Sequence, residues 1–113
     1  MRNVKIAAIQ MQCNTNLQAN LEKAEKMVRQ AAGDGAQIIL LPELFEREYF
    51  CQQRRYDFYH YAKPAEENEA VQMGVRLAKE LGVVLPVSFY EKEVNNLYNS
   101  IACIDADGRI LGI

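Results

Sequence analysis

Hydrophobic positions fall along this chain in two kinds of pattern. Short apolar runs rich in β-branched residues occupy residues 4–11 (V-K-I-A-A-I-Q-M), 36–41 and 83–90. Runs of this length with little polar alternation are typical of strands buried on both faces. Between the first two runs, Leu17, Leu21, Ala24, Val28 and Ala31 recur every three or four residues, which predicts a helix with one apolar side. Glu22, Lys23, Glu25 and Lys26 then fall largely on its outer surface. Thr15 and Gln18 suit a capping box at its start, and Gly33 and Gly35 mark its end.

A second helix is predicted by Ala70, Met73, Leu77, Ala78 and Leu81. Glu66, Glu67 and Glu69 stand near its positive end, and Gly82 suits its C-terminal cap. Pro86 removes one ladder hydrogen bond from the third apolar run and so predicts an edge, an end or a bulge there. Two further strands, residues 97–104 and 109–113, flank Asp105-Ala106-Asp107-Gly108, a sequence suited to a tight antiparallel turn.

The order β-α-β-α-β-β-β predicts an α/β layer with a mixed sheet, parallel where the two crossovers feed it and antiparallel where it finishes. Both helices follow a strand and precede its parallel neighbour, so both are expected on one face. The other apolar face then needs a cover that these elements do not provide. Residues 43–64 have no regular period and are crowded with aromatics. A long irregular loop of this kind is either functional or a packed cover over a helix end.

Composition narrows the function. With 13 basic and 15 acidic residues scattered through 113, and a net charge of −2, nothing favours nucleic acid or an anionic membrane as partner. No apolar run approaches the roughly 20 residues of a spanning helix, so a cytoplasmic protein is expected. Cys13, Cys51 and Cys103 form no C-x-x-C pair, and His60 is the sole histidine, so neither a disulfide framework nor a metal site is expected.

One residue stands out for chemistry. Glu43, in L-L-P-E-L-F, lies immediately past the C-terminal end of a predicted buried strand, the edge of an α/β sheet where sites are built. Beside Pro42, Leu44 and Phe45 its carboxylate is expected to be partly desolvated and so a better proton acceptor near neutrality.

Three ordered blocks, V-K-I-A-A-I-Q-M at 4–11, I-I-L-L-P-E-L-F at 38–45 and L-Y-N-S-I-A-C-I-D-A-D-G-R-I-L-G at 97–112, resemble the opening segments of the nitrilase superfamily of carbon–nitrogen hydrolases. The string E-L-F-E-R-E-Y-F-C-Q at 43–52, with Ala62-Lys63-Pro64 downstream, looks like its N-carbamoylputrescine amidase branch. The resemblance implies that residues 1–113 are the N-terminal portion of a single α-β-β-α sandwich domain. It also implies a homo-oligomer and hydrolysis of an amide or ureido small molecule without metal or organic cofactor. In that family a cysteine thiolate attacks the carbonyl, a glutamate moves the proton and a lysine stabilises the oxyanion. Glu43 matches the glutamate. No lysine of this chain matches the family's lysine block, and the cysteine block lies beyond residue 113, so the chain alone is expected to be inactive.

Cys103, in I-A-C-I-D, superficially resembles the nucleophile motif, but the hairpin sequence after it implies an earlier, non-catalytic strand, and a buried small residue is expected. Cys13 and Cys51 are expected to be structural. For a cationic substrate end, Glu46, Glu48 and Tyr49 are the candidates in the loop after Glu43, by charge attraction and cation–π contact. The alternative reading is a stand-alone α/β interaction module without chemistry.

Overall fold

The computed structural model describes residues 1–53 and 56–113. Its elements run β1 (Ile6–Ala8), α1 (Leu17–Gly33), β2 (Ile38–Leu40), three short 3-10 turns (Phe50–Gln52, Tyr56–Tyr61, Ala65–Glu67), α2 (Glu69–Leu81), β3 (Leu85–Glu93), β4 (Asn96–Ile104) and β5 (Ile110–Gly112). β1 and β2 pair in parallel, with Ile6 opposite Ile38 and Ala8 opposite Leu40. β3, β4 and β5 pair antiparallel. A parallel bridge between Ile38 and Val84, in which the Ile39 N–H donates to the Val84 carbonyl at 3.0 Å, joins the two groups into one sheet. The expected mixed sheet and element order are therefore present, with the first two strands shorter than their apolar runs.

Both helices lie on one face. Ala24, Val28, Ala70, Leu77 and Ala78 are fully buried there against Ile39, Leu85, Val87, Phe89, Ala102 and Ile104. Gly74 lets α2 approach closely, because a Cβ at that position would stand 2.7 Å from Val87 Cγ2 and 2.8 Å from Ile104 Cδ1. α2 ends at Gly82 in the left-handed conformation, φ 66°, as its C-terminal cap. Pro86 is the second residue of β3, so it occupies the strand's end.

The helix starts differ from expectation. α1 is capped by Asn16, whose side chain accepts from the Ala19 N–H at 2.9 Å, and not by Thr15. Asn14 in turn accepts from the Asn16 N–H at 2.8 Å, which fixes the cap one residue later. α2 is capped by Asn68, which accepts from the Val71 N–H at 3.0 Å. Glu66 and Glu67 belong to the preceding 3-10 turn, and only Glu69 stands in the first turn of the helix.

The opposite face of the sheet is bare among the described residues. Ile6, Leu40 and Ile101 are exposed large apolar residues there, Ile6 at 72%. Cys103 is exposed as well, which corrects the expectation of a buried residue. Its neighbours Ala102 and Ile104 point into the core, so strand alternation turns Cys103 outward to the uncovered face.

Candidate active site

β2 ends at Leu40, and the chain turns at Glu43-Leu44. Leu44 has φ 50°, the left-handed region that side chains with a Cβ adopt at a cost of about 1–2 kcal/mol. Its side chain is buried, and its N–H donates to Ser88 Oγ of β3 at 2.9 Å. The buried side chain and the hydrogen bond hold the strained turn in place. Leu44 and Phe45 turn into the core, whereas Glu43 projects outward beside the bare face. Glu43 is exposed, which corrects the partly desolvated setting expected for it: its apolar neighbours turn away from its carboxylate.

Glu43 Oε1 instead accepts from Asn99 Nδ2 of β4 at 2.5 Å. Glu43 and Asn99 line an open groove of about 330 Å³ with Leu40, Leu41, Ser88, Ser100 and Ile101. Tyr49 lies close by. The Glu43 charge, with a smaller contribution from Cys51, holds its phenol above the ordinary tyrosine range. Glu43 and Tyr49 thus come together, and Asn99 and Ser88 join them.

Glu46 does not join them. It is 5% exposed, and Asn68 Nδ2 donates to both of its carboxylate oxygens at 3.3 Å. Burial raises its pKa, opposed by the Asn68 hydrogen bond and one from the Tyr90 backbone. The expectation of a substrate-facing Glu46 is corrected: after the turn at Leu44 the chain dives inward, and Glu46 is locked beneath the start of α2. Glu48 remains exposed on the loop, in a small recess with Thr15, Arg47 and Phe50. The aromatic loop packs around buried Phe50, whose ring lies 5.2 Å from Phe58 and 4.9 Å from Tyr90, while Arg47 stacks over Tyr61 at 4.3 Å. Arg47 thereby takes up one aromatic face of the loop.

Asn20 was not anticipated. It is fully buried on the apolar side of α1, where it donates to the carbonyls of Asn14 at 2.7 Å and Glu46 at 3.0 Å. An asparagine in the helical stripe between Leu17 and Leu21 was the available signal. Cys13 is half-buried, and burial raises its thiol pKa, the wrong direction for a nucleophile. Cys51 and Cys103 are exposed, and among the described residues no cluster of histidine, cysteine and carboxylates could hold a metal ion. No helix among the described residues is long and apolar enough to cross a membrane.

An α/β layer that presents a carboxylate on a strained turn past a parallel strand, over an open groove, is a framework for hydrolytic chemistry. The chain belongs to the carbon-nitrogen hydrolase family, whose pattern residues 5–113 match. It is 49% identical over 112 residues to the N-carbamoylputrescine amidase of Arabidopsis thaliana, an alignment that covers 99% of this chain and 38% of that protein. It is 44% identical over 113 residues to the citrullinase of Francisella tularensis, covering all of this chain and 40% of that one. Among solved structures, the carbon-nitrogen hydrolase from Helicobacter pylori G27 superposes with a TM-score of 0.87 at 24% identity, over 96% of this chain and 38% of the other. The chain thus spans about two fifths of the length of the curated relatives it matches, and the fold is nitrilase-like.

Proposed function

We propose that residues 1–113 are the N-terminal portion of a single carbon–nitrogen hydrolase domain that cleaves a carbamoyl C–N bond, with Glu43 as its proton-transfer group. The observation that carries this reading is Glu43 itself, held on a strained turn at the sheet's open edge and hydrogen-bonded from β4. In the family's chemistry a cysteine thiolate supplied by further chain adds to the carbonyl carbon while a lysine stabilises the oxyanion. Glu43 accepts the thiol proton and passes it to the departing nitrogen. It then activates the water that cleaves the thioester-like intermediate.

The substrate of this reading is a linear ureido compound, N-carbamoylputrescine, with putrescine, carbon dioxide and ammonia as products. The enzyme acts in polyamine synthesis in the cytoplasm, as a homo-oligomer. The 49% identity to a relative named N-carbamoylputrescine amidase supports the choice of substrate. The 44% identity to a citrullinase favours a second substrate that shares the ureido group and differs at the far end, where citrulline carries an amino acid. Tyr49, beside Glu43, and exposed Glu48 are the loop groups left to contact a cationic end.

Ammonia release by the intact enzyme, measured with N-carbamoylputrescine and with citrulline, tests this reading. The expected result is turnover of the first with a kcat/KM well above that of the second. The reverse order assigns the citrulline reading, and no turnover of either compound contradicts both.

A further inference from the structure

Asn99 lies 56 positions after Glu43 in sequence, yet its side-chain amide donates to Glu43 Oε1 at 2.5 Å. The register of the sheet brings this about. Tyr90 of β3 stands opposite Asn99, and Ser88 stands opposite Ile101, so Ser88 and Asn99 reach the same bare face from adjacent strands. Ser88 fixes the backbone of the turn through the Leu44 N–H. Asn99 fixes the side chain one residue earlier. The Glu43-Leu44 turn is thus clamped at two points by two strands, one of which holds a backbone conformation that is unfavourable on its own.

The geometry points to Asn99 as a positioning residue for the catalytic carboxylate, an assignment that rests on the reading of Glu43 given above. Its Nδ2 donor holds Oε1 and restrains the carboxylate over the groove. A primary amide suits this role because it donates without carrying a charge or titrating. Every proton that moves is then carried by Glu43.

Three variants of the intact enzyme, Glu43→Gln, Asn99→Ala and Asn99→Asp, test the assignment in steady-state ammonia release from N-carbamoylputrescine and from citrulline. Asn99→Ala removes one hydrogen bond to a charged group and is expected to lower kcat about 10- to 100-fold with KM nearly unchanged. Asn99→Asp keeps the size and shape of the side chain but turns an acceptor oxygen toward Glu43. It is expected to be slower than Asn99→Ala, with an unfolding midpoint equal to that of the parent enzyme. A residue that only filled space would give the opposite order. Wild-type kcat in Asn99→Ala, an Asp variant more active than the Ala variant, or a fall confined to KM overturns the assignment, provided Glu43→Gln is inactive. Full activity in Glu43→Gln removes the reading of Glu43 and the role of Asn99 with it.

Discussion

The two faces of this sheet are built from similar residues and serve opposite ends. Val87 and Ile101 lie on strands paired to each other, yet Val87 is wholly buried beneath α2 and Ile101 is 46% exposed. On the covered face Leu85, Val87, Phe89, Ala102 and Ile104 are fully buried in the apolar core beneath the helices. On the bare face, apolar Leu40 and Ile101 are interleaved with Ser88 and Asn99, whose polar atoms reach the turn that carries Glu43. One face holds the fold together, and the other forms the open groove beside Glu43.

Substitutions on the covered face should therefore cost most in stability. Phe89→Ala, at a fully buried position, is expected to destabilise the chain by about 3–5 kcal/mol in a denaturant titration. A loss below about 1 kcal/mol would mean that this face is not the core.

Asn68→Ala comes next, because Asn68 both caps α2 and partners buried Glu46. Its loss should destabilise by about 1–3 kcal/mol, from the missing cap and the carboxylate left without its side-chain donor. In the double variant with Glu46→Gln the loss should shrink toward that of the cap alone.

Glu46→Gln sharpens the comparison through pH. Burial favours the protonated form of Glu46 in the folded chain, so its contribution to stability is fully present below the unfolded carboxylate range and is lost as pH rises through the raised folded value. The stability of the parent chain relative to Glu46→Gln should accordingly fall from acid toward neutral pH. A difference between the two that does not change with pH would show that Glu46 is not held in a dry setting.

The smallest effect on stability belongs to the bare face. Ile101→Ser should shift the unfolding free energy of the chain by no more than about 0.5 kcal/mol, as expected for an exposed site. It should also reduce any concentration-dependent association seen by sedimentation, since exposed apolar surface of this kind favours self-association. A large destabilisation would mean that this face is already covered.

This division also explains what could be read from the sequence. Periodicity located both helices, because burial on one side of a helix leaves a regular trace, while continuous apolar runs and the Asp105–Gly108 turn located the strands. The helix starts were missed by small margins: Asn16 is as good a cap as Thr15 and only the local turn decides between them, and Asn68 caps α2 after two of the three glutamates expected to open it. Cys103 was expected to be buried because an apolar strand does not reveal that one of its faces lacks a cover. Glu43 was legible through its place after a strand and through the family blocks. Ser88 and Asn99 were not, because they meet the turn after Glu43 only through the pairing of β3 with β4. Glu46 was misplaced because the positive φ at Leu44, which sends the following chain inward, falls on a residue that gives no sign of it.

The central claim is that the carboxylate on the bare face does chemistry and contributes little to folding. Turnover and unfolding of Glu43→Gln in the intact enzyme, measured on one preparation, test it most directly. The account predicts a fall in kcat of about 10²- to 10⁴-fold, the range for loss of a general acid–base group, with the unfolding midpoint unchanged. Parental turnover, or a loss of activity matched by loss of the folded state, would contradict it.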